Sequence, residues 1–397
     1  MVAFQRCNQC EDEMMELRPA TLLRICLTSS IGFSASTAVP IWVSGVGAHL
    51  GFPSWGAGAV ATGQLACAAL LNTATPWLFR GSPLRGLAYA AAAVALLGNG
   101  LAWVGSSFAF TAGCLLCGAG FGVLLNVANR LVAGSHAPQR GYAMVQFVEI
   151  LFCIGFYLIV PALADRFGIF SVFGVLAALS ATVFPLLAGA AELRATGSRA
   201  AGSKPAGTPP NLVAAVLSLC AAALLFAGYS AVNASLVPIG AAAGLSIPWV
   251  GRIMALGLIA GLGGALVARG LGERAGVLAP LLLGAGVLAS DLIAITLGGG
   301  AIMFIGSALL LFLVMAFLVP YVFTLLAGLD EAGRWASIGP GFVLTGAALG
   351  PAIAGVEARG MDFARVGYCA LACVAAAMTL FLGAQRLRAI RASLARA

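Results

Sequence analysis

Charge is what this chain has least of: 9% of its residues are Asp, Glu, Lys or Arg, against about 25% in a soluble domain. Lysine occurs once, as Lys204, and Pro205 follows it. A phosphate-binding Walker loop needs Gly-Lys followed by Ser or Thr, so the chain cannot build one. Histidine occurs only as His49 and His136, which excludes a His-rich metal site. Both also precede Ser230 of Gly228-Tyr229-Ser230-Ala231, so an intramembrane serine protease would lack its later base. No constellation for an enzyme survives, and no cofactor is called for. The ten cysteines form no disulfide framework: Cys26, Cys67, Cys114, Cys117, Cys153, Cys220, Cys369 and Cys373 lie in apolar runs, where Cys acts as a small apolar residue. Cys7 and Cys10 form a lone CxxC in the polar tail. The net charge of +8 is spread over short segments, unlike the clustered basic face that binds nucleic acid.

What the chain has is hydrocarbon. Hydrophobic residues make up 61% of its 397 residues, with a mean hydropathy of +1.03. A membrane-spanning helix needs about 20 apolar residues. Such runs fall near 20–46, 54–79, 86–106, 108–134, 141–163 and 168–190, then near 211–239, 248–268, 276–298, 300–327, 336–356 and 364–385. The expectation is an all-α membrane protein of twelve transmembrane helices. Residues 1–19 form a cytoplasmic tail and 386–397 a basic one, while 20–190 and 211–385 form two six-helix bundles. Residues 191–210, rich in Ala, Gly, Ser and Pro, read as a cytoplasmic linker. Glu11, Asp12, Glu13 and Glu16 give the start the wrong charge for a secretory signal, and Met14-Met15 offers a later start.

Lys and Arg set the orientation. With the N-terminus inside, fifteen of them fall in cytoplasmic segments and three, Arg166, Arg359 and Arg365, outside. Trp42, Trp55, Trp77, Trp103, Trp249 and Trp335 all fall at span ends, where indole prefers the headgroup layer. Arg-rich, Lys-poor, Ala- and Gly-rich usage points to a bacterial inner membrane.

The two halves repeat. Gly32-Phe33-Ser34-Ala35, Val39-Pro40-Ile41 and Pro53-Ser54-Trp55-Gly56 return as Gly228-Tyr229-Ser230-Ala231, Val237-Pro238-Ile239 and Pro248-Trp249-Val250-Gly251 at offsets of 195–198. Pro161-Ala162-Leu163-Ala164 returns as Pro351-Ala352-Ile353-Ala354 at an offset of 190. Six spans, a basic linker and six similar spans resemble the major facilitator superfamily of secondary transporters across essentially the whole chain. Its local motifs are worn. The loops at Phe79–Arg85 and Ala268–Arg274 keep basic residues but lack the usual Asp. Gly118-Ala119-Gly120-Phe121-Gly122 is present with Cys114 where Arg is common, and the antiporter-type Gly-x-x-x-Gly-Pro is clear only at Gly346 to Pro351.

A charge inside a bilayer is costly, so each asks for a reason. Glu149 lies in span five on a stripe with Tyr142, Gln146, Cys153 and Tyr157. It is either a proton-carrying carboxylate or a structural one with a polar partner. Asp291 in span nine is the other coupling candidate, with Arg252 of span eight as its salt-bridge partner. Arg130 ends span four beside Asn126 and Asn129, either snorkelling or meeting a substrate anion or Glu149; Arg24 reads as an anchor. The resemblance implies that spans one, four and seven line a central cavity, which places Phe33, Thr37, Asn126, Tyr229 and Asn233 around a small, partly apolar solute. The reading that follows is alternating-access transport of a small organic molecule, with proton-coupled efflux of a metabolite or drug-like compound preferred. Import of a nutrient and a transport-inactive sensor or assembly partner are the alternatives. The partners are the solute, the bilayer and protons, with no nucleic acid.

Overall fold

A computed structural model describes residues 19–53, 55–79, 82–133, 138–188, 212–271, 276–327, 334–357 and 362–394. The described residues are almost wholly helical, as lipid demands: a helix satisfies its own backbone hydrogen bonds, and no water is there to satisfy them otherwise. The helices are α1 (Pro19–Leu50), α2 (Gly56–Leu78), α3 (Leu84–Trp103), α4 (Ser107–Ala133), α5 (Pro138–Phe167), α6 (Ser171–Ala188), α7 (Leu212–Ala234), α8 (Leu236–Ala242), α9 (Ile247–Leu271), α10 (Leu278–Leu297), α11 (Gly300–Ala327), α12 (Arg334–Glu357) and α13 (Ala364–Leu394). Ten are long and apolar enough to cross a membrane, and α12 carries a shorter apolar stretch, Gly341–Val356. α2 falls outside the ten; Gln64, Asn72, Thr73 and Thr75 lower its hydropathy.

Three expectations shift. The run at 211–239 is not one helix: it breaks at Ser235, between α7 and α8. Pro238 supplies no N–H to the Ala234 carbonyl four residues back, and its ring crowds that carbonyl. The last helix runs through the basic segment to Leu394 instead of ending at 385. Trp42 is not at an interface. It is fully buried inside the long α1, with ring centroids 5.5 Å from Phe110 and 5.7 Å from Phe173. Trp55, Trp77, Trp103 and Trp249 are exposed near helix ends, as the headgroup layer requires. The Cys7-Cys10 pair and the linker lie outside the described residues, as does the side chain of Trp335.

Small residues let the helices approach, since lipid offers no hydrophobic drive between them. The Gly118–Gly122 run shows how. A Cβ on Gly118 would strike the backbone oxygen of Gln64, and one on Gly122 that of Ala68, both on α2. A Cβ on Gly120 would lie 2.5 Å from the Ala91 oxygen of α3. One motif thus seats α4 against two neighbours at once. Gly98 of α3 meets Gly113 of α4 in the same way.

The first six helices touch the later ones chiefly along two lines, α2 on α12 and α5 on α9, with smaller contacts of α1 on α7 and α8. At the first, Gly58 rests on the Pro351 oxygen and on the Gly355 Cα. At the second, a Cβ on Gly251 would sit 2.5 Å from both the Tyr157 oxygen and the Pro161 Cγ. Proline lacks the N–H owed to the carbonyl four residues earlier. Pro351 leaves the Ala347 oxygen in that state, and Ser230 Oγ donates to it at 2.7 Å.

Gly98→Ala should therefore cost about 1–3 kcal/mol through overpacking. Gly100→Ala, where nothing lies within 4 Å, should gain about 0.5–1 kcal/mol of helix stability. Thermal unfolding of the two variants in detergent should move in opposite directions.

Candidate functional site

Helices α1, α5, α7, α9 and α11 surround a cavity of about 260 Å³. That is just below the ~300–1,000 Å³ usual for ligand pockets, so it suits a small solute. Phe33, Ser36 and Thr37 come from α1; Gln146, Glu149, Ile150, Cys153 and Tyr157 from α5; Phe226, Tyr229 and Asn233 from α7. Leu258 and Gly261 of α9, and Phe312, Met315, Ala316 and Val319 of α11, complete it. The contact of Gly251 with Tyr157 and Pro161 lies at one end. At the other, Gln146 is exposed.

Helical spacing explains how polar groups collect here. Residues 146, 149, 153 and 157 follow one another by three or four positions, which keeps them on one face of α5. Phe33 and Thr37 do the same on α1, and Tyr229 and Asn233 on α7. Thr37 Oγ1 lies 3.5 Å from the Cys153 sulfur and donates to the Phe33 carbonyl at 3.4 Å. Asn233 Oδ1 is buried with no hydrogen-bond partner among the described residues. Pro40 and Pro320 supply no N–H to the carbonyls of Ser36 and Ala316, both lining residues.

The structure brings together Phe33, Thr37, Tyr229, Asn233 and Glu149. It places the other candidates elsewhere. Asn126 faces α2, not the cavity, and its Nδ2 donates to the Asn72 oxygen at 2.7 Å. Arg130 does not line the cavity; its Nη1 is buried without a hydrogen-bond partner among the described residues. Asp291 and Arg252 form no pair among the described residues. Asp291 is buried between α10 and α11 in a separate recess with Ser290 and Ser307, whereas the Arg252 guanidinium lies 4.9 Å from the centre of the Trp249 ring. That stacking keeps the cation on the exposed face of α9. Tyr142 also turns from the cavity, its hydroxyl donating to the Asn129 oxygen at 3.3 Å.

The lining from α9 and α11 has no counterpart among the sequence candidates. It is Leu, Gly, Phe, Met, Ala and Val, which look the same whether they face a cavity, a neighbour or lipid. Phe226 was legible in principle, since it precedes Tyr229 by three positions.

No protein-family model and no curated protein matches the chain. Solved structures do. A peptide transporter POT in complex with sulfate superposes with a TM-score of 0.74 at 15% identity, covering 96% of this chain and 98% of the other. The POT family transporter PepTSo gives 0.72 at 13% identity over 94% and 99%. The nucleoside transporter NupG gives 0.68 at 14% identity over 91% and 99%. All three are transporters, and none is an enzyme.

Two variants separate cavity from packing. Asn126→Ala should lower stability by about 1 kcal/mol through loss of one hydrogen bond and leave the apparent KM for transport unchanged. Asn233→Ala should raise that KM by about 2–10-fold, the value of one lost hydrogen bond. Vesicle uptake and thermal unfolding of the same preparations check both.

In its fold, and across nearly its whole length, this chain is similar to these solved transporters.

Proposed function

We propose that the chain moves a small, partly apolar organic molecule across a bacterial inner membrane by alternating access, and that Glu149 carries a coupling proton. The observation that supports it best is the cavity itself. It lies between the two lines of contact and holds one carboxylate among aromatic and hydroxyl groups. Buried carboxylates facing an internal cavity are the usual proton carriers of membrane transporters.

The architecture proposed is twelve spans in two six-helix bundles, 20–190 and 211–385, joined by the linker 191–210. The packing repeats in support: α2 on α12 is mirrored by α5 on α9, α3 on α4 by α10 on α11, α2 on α4 by α9 on α11, and α3 on α6 by α10 on α13. Both termini are cytoplasmic in this reading, from the distribution of Lys and Arg. The Gly251 contact is then at the outer end, and the exposed Gln146 marks access from the cytoplasm. Rocking the bundles would open the first and close the second.

Export against protons is the reading preferred, and import of a nutrient is the alternative; one experiment distinguishes them. In vesicles of known orientation, a pH gradient should drive net solute movement opposite to the proton flow. Movement with the protons would replace export by import. Glu149→Gln should reduce gradient-driven flux at least about tenfold, as loss of a required proton carrier does. Solute exchange at equal pH should persist in that variant. Full gradient-driven flux would remove Glu149 from the coupling role.

A further inference from the structure

The charge of the lining selects the charge of the solute. Among the described residues, Glu149 is the only acidic one lining the cavity, and no Lys, Arg or His lines it. Among the described residues no hydrogen bond or ion pair satisfies the Glu149 carboxylate. An ionised carboxylate in such surroundings is costly unless a cation meets it. The rest of the lining points the same way. Phe33, Phe226, Tyr229 and Phe312 bring aromatic rings to the lining, and the face of such a ring attracts cations. Asn233 Oδ1 is buried without a partner among the described residues. The Ser36 and Ala316 carbonyls lack the N–H that Pro40 and Pro320 cannot give. A carboxylate on the solute would find no basic partner among the lining residues. An amino acid or a peptide would therefore bind with one end unpaired.

We infer that the solute is a small organic monocation: an ammonium group joined to an aromatic or other hydrocarbon ring, with its charge on Glu149 and its ring against Phe33, Tyr229 and Phe312. The inference rests on the transport reading of the same cavity and names its substrate class. Its consequence is competition. The proton and the ammonium claim the same carboxylate, so a protonated Glu149 gives up its proton when a cation binds, and a proton returning there displaces the cation. The other titratable groups at the cavity are Cys153 and Tyr157 of α5 and Tyr229 of α7. α1, α9 and α11 contribute none to the lining, and neither Arg130 of α4 nor Arg252 of α9 reaches it. No other carboxylate lines the cavity among the described residues.

The test is binding to the full chain in lipid nanodiscs, by titration calorimetry, with four probes of one shape: 2-phenylethylammonium, 2-phenylethanol, 3-phenylpropionate and phenylalanine. The amine should bind about tenfold or more tighter than the alcohol, as a desolvated cation on a carboxylate and aromatic rings should. The anion and the zwitterion should bind more weakly than the alcohol. Amine affinity should fall as pH falls, by up to about tenfold per unit once Glu149 is protonated. Alcohol affinity should stay flat. Glu149→Gln should bring the amine down to the level of the alcohol and remove its pH dependence, while alcohol binding shows that the cavity remains formed. Equal binding of amine and alcohol, preference for the zwitterion or anion, no binding of any probe, or an amine indifferent to Glu149→Gln would each overturn the inference. Flux in vesicles tests the transport reading separately. Cation-selective binding without flux would sink transport and keep the site, whereas flux of a neutral or anionic solute without cation preference would do the reverse.

Discussion

Everything in this molecule hangs on how closely two helices can approach where no side chain intervenes. At Gly251 the α9 backbone lies against the Tyr157 carbonyl and the Pro161 ring of α5, and at Gly58 that of α2 lies against Pro351 and Gly355 of α12. In a bilayer this proximity is the source of cohesion, because lipid is as apolar as any leucine and close contact must supply what water would otherwise drive. The same two lines of contact flank the cavity and bring Glu149 of α5 into the same space as Asn233 of α7 and Phe312 of α11.

The polar groups of the cavity and those of the helix interfaces are different sets with different duties. Gln64 donates to the Cys117 sulfur at 3.3 Å, and Asn126 donates to the Asn72 oxygen. Both join α2 to α4, and both satisfy backbone or buried groups that lipid could not. The carboxamide oxygens of Gln64 and Asn126, like that of Asn233, have no hydrogen-bond partner among the described residues. What sets Asn233 apart is its place on the cavity wall, and that could not be read from residue type alone.

The sequence made the helices legible because an unbroken run of about 20 apolar residues matches the thickness of a bilayer and suits few soluble folds. It made Glu149, Phe33, Thr37, Tyr229 and Asn233 legible because rare polar groups at helical spacing stand out in such a background. It misled where one pattern serves two structures. Trp42 sits at the end of an apolar run, yet α1 continues to Leu50 and the indole packs on Phe110 and Phe173. Asp291 and Arg252 are opposite charges on neighbouring spans, yet Arg252 turns to Trp249. The faces of α9 and α11 toward the cavity stayed hidden, since an apolar wall looks the same in sequence as an apolar core.

The prolines carry a mechanical consequence. Pro40, Pro161, Pro320 and Pro351 each remove one rung from a long helix, and a helix with a missing rung bends there more readily. In α1 and α11 the missing rung starts at a residue of the cavity wall, and in α5 it starts at Tyr157, where Gly251 presses. In α12 the Ala347 carbonyl has been given a substitute partner in Ser230. Three of these four missing rungs thus lie at the cavity wall, and the fourth has a substitute partner. Bending would therefore come more easily in α5 than in α12.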